Sequence, residues 1–199
     1  MNFLMRTDQK RWGNLPARFQ IILVSGKAGT GKSTVAQVMS EVLVSNGILT
    51  NIVPVAYPVK ECAREEFGWN GVKDDKGRAL LQNIGQMGRD YNPDIWISKI
   101  GVLISDMVWR TGCVIIDDWR YPNEYEYLKD RGFYVYSVRV NAPKHEALWS
   151  TEFYNHPSET SLTDDDWYDF RIDNDARSMV ELKERAKGAL SIIYDKELR

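Results

Sequence analysis

Apolar and polar positions follow two rhythms along this chain. Phe19-Gln20-Ile21-Ile22-Leu23-Val24 is a short branched run halted by glycine, the pattern of a strand buried on both faces. Val35, Val38, Met39, Val42 and Leu43 then recur every three to four residues, which predicts an amphipathic helix closed near Asn46-Gly47. Asn51 to Ala56 reads as a second strand, and Pro58 opens a helix to about Phe67. Leu80, Leu81, Ile84 and Met87 stripe a helix over Lys76 to Asp90. Asn92-Pro93-Asp94 supplies a cap, a first-turn proline and a carboxylate for the next helix, which runs to about Trp109. Val114 to Asp118 reads as a buried strand, Asn123 to Arg131 as a helix stopped by Gly132, and Phe133 to Val140 as an alternating strand. Asn141 to Asp166 is long and irregular, the usual character of a functional loop or lid. A short strand at Asp169 to Ile172 and a helix striped by Leu182, Ala186, Ala189, Leu190 and Ile193 complete the series.

Strands alternating with helices predict an α/β fold: a parallel sheet covered on both faces, with ligands at the carboxyl ends of its strands. The 199 residues suffice for one domain with its own core. The net charge of −2 disfavours a phosphate-backbone-binding nucleic-acid module. There are only two cysteines and two histidines, in no metal-ligand spacing, so a reducing, cytoplasmic setting is expected. Residues 1–20 are basic but hold no apolar stretch of signal-peptide length, and neither a membrane span nor a membrane partner is expected.

The chemistry concentrates just after the first strand. Gly26-Lys27-Ala28-Gly29-Thr30-Gly31-Lys32-Ser33 fits G-x-x-x-x-G-K-[ST], with a strand before it and a helix after it. Glycines let the backbone turn its N–H groups onto phosphate oxygens, and the helix N-terminus adds further donors. Lys32 is placed to neutralise the β- and γ-phosphates of ATP, Ser33 to offer its hydroxyl to Mg²⁺, and Thr34 to meet a more distal phosphate. Val114-Ile115-Ile116-Asp117-Asp118 provides the acidic strand end that such a metal site needs, from either Asp117 or Asp118. Between the second strand and Val114 lie about fifty-five residues, too many for one crossover helix. They carry Lys60, Arg64, Arg78 and Arg89, and guanidinium groups suit capture of a phosphate dianion.

Several further runs accompany the phosphate loop in a fixed order. They are Arg78-Ala79-Leu80-Leu81-Gln82-Asn83-Ile84-Gly85, then Arg89 and Pro93-Asp94-Ile95-Trp96, then Asp117-Asp118-Trp119-Arg120-Tyr121-Pro122-Asn123-Glu124. His156-Pro157-Ser158-Glu159-Thr160 and Ile172-Asp173-Asn174-Asp175 follow. From about residue 19 to 194 this order resembles the phage-type deoxynucleoside monophosphate kinases, relatives of adenylate and guanylate kinases. The resemblance implies a three-layer α/β/α P-loop NTPase fold with a helical acceptor-binding insert and a lid. It implies one domain over residues 1–199, with its core at 19–56, 111–140 and 167–199, the monophosphate-binding insert at 57–110 and the lid at 141–166. The activity implied is phosphorylation of a deoxynucleoside 5′-monophosphate by ATP with Mg²⁺. By position, Arg78 and Arg89 would meet the acceptor phosphate, and Asp118 and Arg120 would sit between donor and acceptor. Gln82, Trp96 and Glu124 would contact base or sugar. Where related chains carry a basic residue in place of Asn141, Arg139 or Lys144 would supply that charge in the lid, with His156 and Glu159. Asn155-His156-Pro157-Ser158-Glu159 reads equally well as a plain helix start.

A P-loop kinase acting on another small acceptor, or a P-loop ATPase without one, fits the same loop. A GTPase switch fits less well, since no N-K-x-D motif occurs. The partners expected are small nucleotides, and the last two helices are the candidate faces for pairing in a homodimer.

Overall fold

The computed structural model describes residues 19–142, 160–162, 165–175 and 178–195. Five parallel strands form one sheet in the order β2-β3-β1-β4-β5: β1 Gln20–Ser25, β2 Thr50–Ile52, β3 Cys113–Ile116, β4 Tyr134–Asn141 and β5 Phe170–Asp173. Helices α1 (Lys32–Ser45), α2 (Tyr57–Phe67), α3 (Asp75–Tyr91), α4 (Ile95–Met107), α5 (Pro122–Lys129) and α6 (Met179–Ile193) cover it.

Successive strand side chains point to opposite faces, so one continuous apolar run feeds two cores. Ile21, Leu23, Val114 and Ile116 face α2, α3, α4 and α5, meeting Val59, Ala63, Ile84, Ile100 and Leu128. Ile22, Val24, Cys113 and Ile115 face α1 and α6, meeting Met39, Leu43, Ala186 and Leu190. The result is a three-layer α/β/α arrangement whose central strand is buried from Ile21 to Ser25.

Most element boundaries fall within two residues of the pattern, and three departures bear on the site. β2 ends at Ile52: Val53 N still donates to Ile115 O at 2.9 Å, but Val55 and Ala56 form a turn instead of extending the strand. β3 ends at Ile116, which puts both Asp117 and Asp118 in the turn beyond it. Asn92 closes α3 and does not cap α4; its Oδ1 accepts the Asp94 N–H at 3.0 Å, while Asp94 makes no side-chain cap. Proline at 93 imposes this, because it disfavours a helical conformation at the residue before it. The two cysteines, Cys62 and Cys113, are free thiols, and burial pushes the Cys113 pKa up to about 12. Lys144, His156, Glu159 and most of the 141–166 segment lie outside the described residues. Among the described residues no helix is long and apolar enough to cross a membrane.

Candidate active site

The phosphate loop is built by close approach. Gly26 has φ 150°, and a Cβ there would run into the Val140 carbonyl oxygen on the neighbouring strand. Gly31 has φ 81°, and a Cβ there would strike the Asn174 amide. Asn174 Nδ2 donates to Thr30 O at 2.9 Å, clamping the loop from the end of β5. Thr30 Oγ1 closes the turn onto Lys27 O at 2.9 Å. Lys32 Nζ donates to Gly26 O and Lys27 O, both at 2.8 Å, so its ammonium lies curled along the loop it opens from. Gly29, Ser33 and Thr34 are exposed, and Ala28 is half-buried beside them.

The two aspartates after β3 have separate surroundings. Ser33 Oγ donates to Asp117 Oδ2 at 2.6 Å, joining the start of α1 to the end of β3. Asp118 turns the other way: its carboxylate accepts Val55 N at 2.5 Å and Ala56 N at 3.0 Å. Burial raises the Asp118 pKa, which the Ala56 and Val55 N–H bonds oppose and the neighbouring Asp117 charge reinforces. A turn, not strand alternation, separates the two side chains: one carboxylate points to Ser33 and the other to Val55 and Ala56.

A cleft of about 350 Å³ opens where the strand order changes direction, lined by Ser33, Asp117, Asp118, Lys60, Lys73, Arg89, Arg120 and Glu124 among others. A recess of about 160 Å³ adjoins it, lined by Val59, Leu81, Gln82, Gln86 and Tyr121 together with Lys60 and Arg89. The Arg89 guanidinium lies over the Tyr121 ring at 4.3 Å, a cation–π contact that fixes it between cleft and recess. Arg120 Nη1 reaches Gly26 O at 3.4 Å, linking the cleft wall to the loop.

This is the fold of the P-loop NTPases. No protein-family model matches the chain, and no curated protein sequence matches it significantly. Among solved structures, it is similar to the APS kinase of Mycobacterium tuberculosis in complex with AMPPNP and APS, at 16% identity and TM-score 0.49, covering 89% of this chain and 99% of that one. A shikimate kinase from Aquifex aeolicus matches at 16% identity and TM-score 0.49, covering 88% and 97%. A gluconokinase from Sinorhizobium meliloti matches at 15% identity and TM-score 0.48, covering 90% and 96%. The sheet order and the glycine-built phosphate loop define this fold by themselves.

Not every residue expected at the site lines the cleft. Trp96, expected against base or sugar, is 6% exposed; its indole N–H donates to Gly85 O at 2.9 Å and its ring presses on Gly88, so it fastens α4 to α3. Arg64 is exposed, paired with Glu61 and lying over Trp69 at 5.4 Å. Arg78 is exposed at the start of α3, where its Nε donates to Lys73 O at 3.0 Å, and it is not among the cleft-lining residues. Glu124 does line the cleft, although its carboxylate serves backbone N–H groups. Arg139 pairs in register with Ser25 and donates to Leu162 O at 2.8 Å and Tyr168 OH at 3.0 Å, tying both to β4.

Lys73, Gln86 and Tyr121 escaped the sequence reading. Tyr121 sits inside the Asp-Trp-Arg-Tyr-Pro-Asn-Glu run already singled out, so its signal was present. Gln86 lies one turn after Gln82 on the same helix face, and that spacing would have found it.

Proposed function

We propose that this chain transfers the γ-phosphoryl group of ATP to a deoxynucleoside 5′-monophosphate, forming the diphosphate. The observation that carries this reading is one cleft in which the phosphate loop faces Lys60, Lys73, Arg89 and Arg120, with a recess of mixed apolar and amide lining beyond Arg89. Four cations suit a phosphate-bearing acceptor better than a neutral hydroxyl acceptor. Val59, Leu81 and the Tyr121 ring offer flat apolar surface for a base, while Gln82 and Gln86 offer donors and acceptors at its edge. On this reading the partners are small nucleotides and the compartment is the cytoplasm.

Both reactants are anions, so the chain's task is to compensate charge and align the groups in line. Lys32 leaves the carbonyls of Gly26 and Lys27 for the β- and γ-phosphate oxygens. Arg120, tethered to the loop and facing the cleft, spans donor and acceptor. Arg89 holds the acceptor phosphate, already ionised near neutral pH, so no side-chain base is needed. The Ser33 hydroxyl and Asp117 carboxylate are hard oxygen ligands at one point, and they fit Mg²⁺, which keeps most of its other positions for water and phosphate. Bound there, Mg²⁺ would supply charge compensation to the donor phosphates. No group of three or more His, Cys, Asp or Glu able to hold a metal occurs among the described residues.

The test is ADP release from Mg-ATP against a panel of deoxy- and ribonucleoside monophosphates, with shikimate, gluconate and APS as other acceptors. Strong stimulation by one or a few deoxynucleoside monophosphates is the expected result. Stimulation by another acceptor alone, or release indifferent to all of them, would overturn the reading. Two arginine variants sharpen it. Arg89→Ala is expected to raise the acceptor KM by about 10- to 100-fold through loss of a charge-assisted phosphate contact. Arg64→Ala, lacking an ion pair on the exposed side of α2, is expected to stay within about twofold of wild type. Equal effects at the two positions would contradict the assignment of Arg89 to the acceptor.

A further inference from the structure

The 119–121 turn carries both cleft arginines in different ways. Arg120 belongs to it, and Arg89 reaches it by stacking on the Tyr121 ring. One buried side chain holds the turn at its centre. Glu124 is 3% exposed, and its Oε2 accepts Arg120 N at 3.0 Å and Tyr121 N at 3.2 Å. Glu124 N returns a bond to Tyr121 O at 3.1 Å, closing the first turn of α5. A plain helix cap would not need a carboxylate that also lines the cleft opposite a guanidinium.

We propose that Glu124 is a positioning residue that sets both cleft arginines, holding Arg120 through the peptide N–H groups of the turn and Arg89 through the Tyr121 ring. Its Oε2 is engaged by these two backbone N–H groups, whereas the resemblance implies a contact with base or sugar. Its part in turnover rests on the kinase reading above, whereas its hold on the turn does not.

The arrangement depends on charge. Burial pushes the Glu124 pKa up to about 7, an effect opposed by the Arg120 N–H and by Arg89, and reinforced by Asp118. The charged groups lining the same cleft are Asp117 and Asp118 after β3, Lys60 on α2, Lys73 before α3, Arg89 on α3 and Arg120 in the turn itself. Below about pH 7 the carboxyl takes up a proton, its bonds to the two N–H groups weaken, and the counter-charge facing Arg89 is lost.

Two measurements on the full chain separate this proposal from the function it serves. The first is NMR of the backbone amides of Arg120 and Tyr121 and of the arginine Nε–H groups, followed through pH. In the wild type these signals are expected to shift together with a midpoint near 7. In Glu124→Gln, which keeps an acceptor oxygen of the same reach but no charge, that common transition should vanish. A wild type without the common transition, or a variant that retains it, would overturn the proposal. The wild-type titration alone decides the matter should the variant fold poorly.

The second is steady-state phosphoryl transfer. Glu124→Gln is expected to lower kcat/KM for the monophosphate about tenfold, to leave the KM for ATP within about twofold, and to remove the acid limb near pH 7. A loss confined to the ATP KM, or an unchanged acid limb, would count against the proposal. If the NMR transition is present but no monophosphate is phosphorylated, the positioning role stands and the kinase reading falls.

Discussion

Lys32→Ala should yield a folded chain whose phosphoryl transfer is about a thousandfold slower than wild type. The ammonium rests 2.8 Å from two loop carbonyls, already beside the position a terminal phosphate would take. Without the ammonium, Gly26 O keeps the Arg120 guanidinium as donor and Lys27 O keeps the Thr30 N–H and hydroxyl, so little stability is lost. The transferring phosphoryl group has no such substitute, because its charge is greatest in the transition state within a closed site. The check is kcat by coupled ADP release, together with a thermal melt to confirm folding. Turnover within tenfold of wild type would remove Lys32 from the chemistry.

Asp118→Ala is the second large expected effect, and it should appear first in stability. The carboxylate joins two segments that meet only in the folded chain, accepting the N–H groups of Val55 and Ala56 beside the end of β3. Truncation leaves two donors facing a cleft wall with no acceptor, at a cost of about 2–5 kcal/mol. That is a large part of the 5–15 kcal/mol typical of a domain. The urea midpoint should fall accordingly, and because Ala56 and Lys60 share the acceptor wall, the acceptor KM should rise as well. A loss of unfolding free energy below about 1 kcal/mol, from the midpoint shift and the m-value, would show that the turn holds without its carboxylate.

The phosphate loop and the two-faced core were legible because each depends on local order: glycine placement in one case, side-chain period in the other. The cleft walls were less so. Arg78 and Arg89 are eleven residues apart, just over three full turns, so both lie along one stripe of α3. That stripe is about 16 Å long between them, and only its Arg89 end meets the cleft. The resemblance places Trp96 against base or sugar, and a tryptophan carries the same letter whether it faces ligand or core. Its burial depends on Gly85 and Gly88, which let the indole lie against α3. The division of labour between Asp117 and Asp118 depends on β2 ending early, and nothing in the run Val53-Pro54-Val55-Ala56 announces that its N–H groups will bond a residue more than sixty positions later.

The Asn174 clamp on Thr30 has a consequence for how this protein is made. The contact spans 144 residues, so β1 and α1 can be synthesised and packed long before the loop between them is held in shape. Closing so long a span is entropically slow and waits for β5 to pair with β4. Nucleotide affinity should therefore arrive late on the ribosome, appearing only after the last strand has emerged and joined the sheet. A growing chain would then be unable to sequester nucleotide before it can use it.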